Sequence, residues 1–332
     1  MSSLEEKLVP VHGGTDAGPE PRYDFSSNAN PLGPCPSVLQ AIRAADVSRY
    51  PDPCYTQLRE TLASYHDTSP DQIVVGAGAS ELILRLIQRL DGPVQQLGPT
   101  FSEYSRGARI AGRKLISVKT PTAFLRAQSR RPGIGFVCWP NNPSGELCPL
   151  DFIADAAKAG PVVVDLAYAS MCPLNEVAGI DTAATGAYRL YSPNKSYGLT
   201  GIRGAYVITP RVDRRLALQA PSWVIGREAE AMLAAAVHSR AAVWLEQSIG
   251  QFVGWRVKLA SSLALRGLMV RQSPATFLLV RVGNAARITE RLRDQGIRVR
   301  DGTSFGLRQW IRLSAQPPAA QRVLLVALDK LL

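Results

Sequence analysis

Cysteine is sparse in this 332-residue sequence, and what there is of it forms no pattern. Cys35, Cys54, Cys138, Cys148 and Cys172 are odd in number, scattered and without CxxC spacing. That argues against a disulfide framework or a zinc site and fits a reducing cytoplasm. Long apolar runs are missing as well: none approaches the roughly 18 residues of a membrane span. The first residues, Met1 to Lys7, hold no basic segment followed by an apolar one, so no secretory signal is visible. Repeats and low-complexity tracts are absent too. The formal charge of +11 invites a nucleic-acid partner. However, the excess is mostly arginine, spread among apolar positions after Arg211, and no helix-turn-helix, zinc-finger or RNA-binding signature accompanies it. A solvated basic surface that also attracts phosphorylated substrates explains it better, with neither nucleic acid nor membrane as partner.

What is present is an alternation. Residues 1–35 are rich in Gly, Pro, Asp and Asn and read as an extended arm. Helical spacing starts near Pro36, breaks at Arg49-Tyr50-Pro51-Asp52-Pro53, and resumes from about Tyr55 to His66. Seven short apolar strands then alternate with helices: Ile73–Val75, Val94–Leu97, Leu115–Val118, Ile134–Cys138, Val162–Asp165, Tyr188–Tyr191 and Ala205–Thr209. This predicts an α/β domain on a mostly parallel sheet flanked by helices. An alanine-rich helical region covers about Arg227 to Arg266, with a break expected near Gly250 or Gly254. After Pro274 the order strand, helix, strands, helix predicts a small C-terminal α+β domain. The expected division is an arm at 1–35 that joins the small domain and the site, a large domain at 36–250 and a small domain at 251–332.

In open α/β sheets ligands gather at the carboxyl ends of strands, and the unusual polar residues sit there. Gly78-Ala79-Ser80 is a strand-to-helix turn able to hold an anion on free N–H groups. Asn142 lies in Asn141-Asn142-Pro143-Ser144-Gly145; Asp165 ends a strand, with Tyr168 three residues on. Ser192 and Lys195 follow the next strand, and Arg203 comes eight positions after the lysine in a glycine-punctuated turn. Singly each has an ordinary reading, as a loop lysine or a strand-end cap. Together they supply an amine, a carboxylate, a phenol, an amide and phosphate donors. Those are the needs of pyridoxal phosphate: a Schiff base from a desolvated lysine, a partner for the ring nitrogen, contacts to the ring oxygen and capture of the phosphate.

Over essentially its whole length the chain resembles the fold-type I pyridoxal-phosphate enzymes of the aspartate-aminotransferase superfamily, class I/II. The resemblance implies a seven-stranded large domain and a homodimer. It makes Lys195 the Schiff-base residue and pairs Asp165 with the ring nitrogen. Asn142 and Tyr168 would contact the ring oxygen. Ser80, Ser192 and Arg203, with the Gly78-Ala79 backbone, would hold the phosphate. Phe101 takes the place of the stacking aromatic, Arg312 that of the arginine gripping the substrate carboxylate, and Tyr50 that of a tyrosine reaching the partner subunit's cofactor phosphate. Leu166, where an acidic residue is usual, and Asn194, where Ser or Thr is usual before the lysine, depart from the pattern.

Two subfamilies share these motifs. His12-Gly13-Gly14, the Asp24–Gly33 segment and Arg49–Pro53 look most like the L-threonine-O-3-phosphate decarboxylases of cobalamin biosynthesis, which places His12, Asn30 and Arg300 on the substrate. The leading expectation is therefore decarboxylation of threonine phosphate to (R)-1-aminopropan-2-yl phosphate. The alternative is a histidinol-phosphate aminotransferase-like enzyme, and an alternative of another class is a non-catalytic binding or regulatory member of the fold. Which bond at Cα stands perpendicular to the cofactor ring decides between loss of carbon dioxide and amino transfer, and that angle is not legible in sequence.

Overall fold

The computed structural model describes residues 13–332; His12 lies outside the described residues. The arm is less peripheral than its composition predicts. Its strand β1 (Tyr23–Asp24) pairs in parallel with a strand at Ile297–Arg298, and Phe25 is fully buried in the C-terminal core. One large apolar side chain in a polar, glycine-rich stretch is enough to anchor it, at about 25 cal/mol per Å² of apolar surface buried. Helices Pro36–Arg43 and Thr56–Tyr65 follow where the spacing predicts them.

The large domain holds β2 (Ile73–Gly76), β3 (Val94–Leu97), β4 (Leu115–Val118), β5 (Ile134–Cys138), β6 (Val162–Asp165), β7 (Tyr188–Tyr191) and β8 (Ala205–Ile208). They form one seven-stranded sheet in the order β2-β8-β7-β6-β5-β3-β4. Only β8 runs against its neighbours; the other adjacent pairs are parallel. β5 and β6 are buried at every residue, as near-continuous apolar strands covered on both faces must be. The direction of the strands has a functional result. The carboxyl ends of β2, β5, β6 and β7 and the start of the reversed β8 all meet at one edge.

The alanine-rich region breaks at Val237–His238 into helices Arg227–Ala236 and Ser239–Ala264, and not at Gly250 or Gly254. Nothing lies within 4 Å of where a Cβ would sit on either glycine, so both face open space and interrupt no packing. The long helix buries Ala241 and Leu245 against the large domain and Leu259, Ala260 and Leu263 against the small one. The predicted boundary at 250 thus falls inside one continuous helix. Beyond it come β9 (Val270–Arg271), which the pattern did not predict, β10 (Phe277–Arg281), β11 (Ile297–Arg298), β12 (Arg300–Asp301) and β13 (Trp310–Ser314). The small sheet has the order β12-β13-β10-β9 and is antiparallel, with helices Ala285–Arg293 and Pro318–Leu331 against its core. The extended stretch after helix Ala285–Arg293 is split between two partners, β11 pairing with β1 and β12 with β13. Among the described residues no helix is long and apolar enough to cross a membrane.

Candidate active site

A cavity of about 330 Å³ opens at the edge where those strands end, a size suited to a small molecule. One end of it is an anion cup. Helix Ala79–Arg89 starts directly after β2, so its first turn presents unpaired N–H groups, and Ala79 and Ser80 line the cavity. Arg203 reaches the same place because it precedes the reversed β8. Gly78, at φ 100°, makes room for it: a Cβ there would fall 2.4 Å from Arg203 Nη2. Ser192 completes the cup, its hydroxyl donating to Asn194 Oδ1 at 3.0 Å. Asn194, whose amide also donates to the Ile202 carbonyl at 3.3 Å, therefore orients the serine where a hydroxyl residue was expected. Leu166 packs into the apolar core in one cluster with Val164 and Ile180 and does not line the cavity.

Lys195 follows β7 and lines the cavity, its Nζ 5.5 Å from the centre of the Tyr168 ring. Loss of hydration lowers its pKa; the Asp165 charge opposes this, while Arg203 and Arg312 add to it. Asp165 is 2% exposed because β6 is buried to its last residue. Burial raises its pKa, opposed chiefly by a hydrogen bond from the Tyr104 hydroxyl at 2.7 Å and by the Ala167 N–H at 3.1 Å. The Tyr168 hydroxyl is pushed up to about 12 by burial, against the pull of Arg312, so it acts as a donor. Phe101 also lines the cavity and meets Tyr104 edge to face at 5.7 Å.

The other end belongs to the small domain and the arm. Arg312, on β13, is 4% exposed; its Nη1 donates to Asn142 Oδ1 and its Nη2 to the Ser26 carbonyl at 2.7 Å. Arg300, its register partner on β12, donates to the Asp301 carbonyl at 2.7 Å and Ser304 Oγ at 2.6 Å, and lies 4.7 Å over the Phe305 ring. Burial, and then the charge of Arg312, push Arg300 down to about 10. Gly13, Gly14 and Thr15 also line the cavity, held there by Gly14 N–H to Ser26 Oγ at 2.8 Å and by Arg298 donating to the Gly14 carbonyl at 2.9 Å.

Two predicted residues stand elsewhere. Asn30 does not line the cavity. Its side chain donates to the Ser196 carbonyl at 3.0 Å and accepts from Leu32 N–H at 3.0 Å, and its own N–H donates to the Lys195 carbonyl at 2.9 Å. One end of the amide ties the arm to the lysine loop and the other caps the arm's own turn. Gly33 does the same by contact, since a Cβ on it would fall 2.6 Å from the Gly198 Cα. Asn28, which the sequence reading passed over, is the asparagine in the cavity wall: 4% exposed, with its side chain at the Tyr168 hydroxyl. The signal that separates them is position relative to Pro31, which fixes the backbone just after Asn30 and turns its side chain into a turn cap. Tyr50 is 77% exposed, away from this chain's cavity, and stacks on Trp223 at 4.4 Å.

The sequence model of the family "Aminotransferase class I and II" matches residues 21–331. The chain belongs to the class I and II aminotransferases. Histidinol-phosphate aminotransferase 2 of Rhizobium meliloti is 30% identical over the full length of both chains, and the histidinol-phosphate aminotransferase of Gluconacetobacter diazotrophicus is 30% identical over 100% of this chain and 97% of that one. A crystal structure of the Sinorhizobium meliloti histidinol-phosphate aminotransferase with pyridoxal-5'-phosphate superposes with a TM-score of 0.85 at 25% identity, covering 94% of this chain and 92% of that one. The L-threonine-O-3-phosphate decarboxylase of Porphyromonas gingivalis shares the fold, at TM-score 0.78 and 22% identity over 92% and 98%.

As an aminotransferase-family enzyme the protein uses pyridoxal phosphate, and the residues present fit it. The cup of Ala79, Ser80, Ser192 and Arg203 suits a phosphate. The buried Asp165 suits a ring nitrogen that carries a proton, and the poorly hydrated Lys195 suits covalent attachment. With Asn142 Oδ1 engaged by Arg312, its amide N–H groups are the part left to meet a ring oxygen, alongside the Tyr168 hydroxyl. Bound there, pyridoxal phosphate supplies an electron sink for a bond at the substrate's Cα.

Proposed function

We propose that this enzyme transfers an amino group between a small substrate bearing a phosphate ester, of the histidinol-phosphate kind, and a keto acid. The observation that carries the reading is the pair Arg300 and Arg312. They are register neighbours on adjacent strands, 4% exposed each, and both border the Lys195 cavity. Two buried like charges repel, and dehydrating each costs several kcal/mol. An anion entering beside them recovers that cost through charge-assisted hydrogen bonds, and phosphate accepts more of these than any other common substrate group. Arg312 is set by neutral acceptors, and its buried Nε has no partner. Asn28, beside the Tyr168 hydroxyl in the cavity wall, has amide capacity to spare for a further polar group of the substrate.

Amino transfer is supported over carbon dioxide loss by full-length likeness to histidinol-phosphate aminotransferases. In that chemistry Lys195, with its lowered proton affinity, is the base that takes and returns the Cα proton. Decarboxylation of threonine phosphate remains as a second reading. It rests on Gly13-Gly14 packed against Ser26 and close to Arg312, the segment by which the sequence looks like the decarboxylases. We further infer a homodimer in which Tyr50, exposed on this chain, reaches the partner's cavity.

Purified protein given histidinol phosphate and 2-oxoglutarate should form glutamate. Release of carbon dioxide from threonine phosphate with no keto acid required, and no glutamate from either substrate, would overturn amino transfer in favour of the second reading.

A further inference from the structure

We propose that Tyr104 is a positioning residue that holds Asp165 in its ionised form and thereby sets how strongly the cofactor ring nitrogen keeps its proton. The inference rests on the cofactor assignment above and adds a residue that none of the motifs contains. Its basis is geometric. Tyr104 is fully buried in helix Ser102–Ile110 and its hydroxyl donates to Asp165 Oδ2 at 2.7 Å. The ring cannot swing away: it stacks on Phe136 of β5 at 4.6 Å with 15° between planes, and meets Phe101 edge-on at 5.7 Å. Phe101 borders the cavity itself, so one rigid aromatic group touches both the face of the site and its buried carboxylate.

Chemistry gives that contact its weight. A carboxylate 2% exposed meets a strong bias toward its neutral acid. The groups that face it are Tyr104 from its helix, Cys138 at the end of β5, the Ala167 N–H on its own turn, Tyr168, and Lys195 from the loop after β7. Cys138 is raised to a neutral thiol by burial and donates to the Pro140 carbonyl at 3.3 Å, so it offers Asp165 no proton. Tyr168 keeps its proton as well. Of the two side chains that favour the carboxylate form, Lys195 is the one that covalent attachment of the cofactor would engage, so its contribution would change on loading. Tyr104 remains. Its own hydroxyl is held protonated by burial and by the neighbouring Asp165, so the donor is constant over the working pH range.

Tyr104→Phe keeps both ring contacts and deletes one oxygen, which separates this role from packing. Three readouts are expected in the full-length variant. Cofactor affinity falls about tenfold, the cost of one charge-assisted hydrogen bond. The pH midpoint of the bound cofactor's visible band moves upward, because the proton shifts from ring nitrogen to Asp165 and the ring withdraws less. In the cofactor-free protein, raising the Asp165 pKa further makes the variant lose more stability at neutral pH than at a pH low enough to protonate the folded acid in both proteins. Phe136→Leu is the control: it lowers the melting temperature at every pH and leaves the band's midpoint in place. A Tyr104→Phe protein with wild-type affinity, midpoint and stability profile overturns the proposal even if turnover changes. Absence of any visible band in the unmutated protein would instead overturn the cofactor assignment beneath it.

Discussion

The half of the cavity that suits the cofactor is made at one edge of one sheet, by residues that follow β2, β3, β5, β6 and β7 within a few positions and by Arg203 just ahead of β8. The half proposed for the substrate is made by Ser26 and Asn28 from the arm and Arg300 and Arg312 from the small domain, brought together across more than 270 positions of chain. Different forces hold the two. Strand-end residues are placed by ladder hydrogen bonds and the buried sheet core, so their positions are fixed before any ligand arrives. Arm and small-domain residues are placed by β1 pairing with β11, by Phe25 in the small core and by Arg298 gripping Gly14. Chemistry is thereby assigned to the rigid half, and selection to the half with fewer and longer-range contacts.

The largest test of that division lies at Lys195. Lys195→Ala should remove the visible cofactor band and reduce turnover by about 10⁴-fold, while the melting temperature holds or rises because a dehydrated amine is gone. Absorbance and steady-state rates measure both. A variant that turns over at the normal rate would take the chemistry away from the sheet edge. Arg312→Ala should act mainly on the other half, its one link to the first being the contact with Asn142. With a fully buried clamp removed, kcat/KM should fall about 10²- to 10³-fold and cofactor affinity should change by less than about threefold. Equal losses in both would show that the halves are not separable.

Legibility in the sequence follows the same line. Central strands such as β5 and β6 could be placed from short apolar runs because parallel strands covered on both faces must be apolar throughout, and their ends then carried the site. Asp165, Lys195 and Arg203 were readable for that reason: short spacing along the chain became closeness in space. Asn28 was not. It differs from Asn30 by two positions in an extended arm, and which of them faces a cavity depends on where the small domain grips β1, information spread over residues 297 and 298. Tyr104 was hidden by its ordinary setting on a helix, since nothing local marks a tyrosine whose partner stands at the end of a strand 61 positions away. The glycines at 250 and 254 misled because a helix break is a matter of packing, and these face open space.

The asparagine pair turns that lesson into a measurement of intermediate size. Asn28→Ala should leave the fold intact and raise KM about tenfold, the effect of one lost substrate hydrogen bond. Asn30→Ala strands the Ser196 carbonyl and the Leu32 N–H, so it should cost about 1–3 kcal/mol of stability with KM nearly unchanged among the molecules that remain folded. Denaturant titration and steady-state kinetics on the two variants separate these outcomes. A reversal of the two phenotypes would return Asn30 to the substrate.

The smallest effect should come from Asp16, the exposed end of the arm's anchorage. It pairs with Arg293 at 2.6 Å and Arg298 at 3.1 Å, and those contacts hold its carboxyl below the usual range, Arg293 most of all. Its folded pKa is lowered, so its contribution is present above the ordinary carboxylate pKa and disappears only as pH falls through the lowered value. Across pH 6 to 9 the charge is constant. Asp16→Asn should therefore raise KM by about twofold at low salt, by the same factor at each pH in that window, and by less as ionic strength screens the wild-type pair. Cofactor affinity, belonging to the other half, should not move. Because Arg298 keeps its bonds to the Gly14 and Pro19 carbonyls in the variant, the arm stays docked and only its stiffness changes. A KM ratio that varies with pH between 6 and 9 would place some other titrating group at the arm, and a change in cofactor affinity would mean that the arm reaches across into the rigid half.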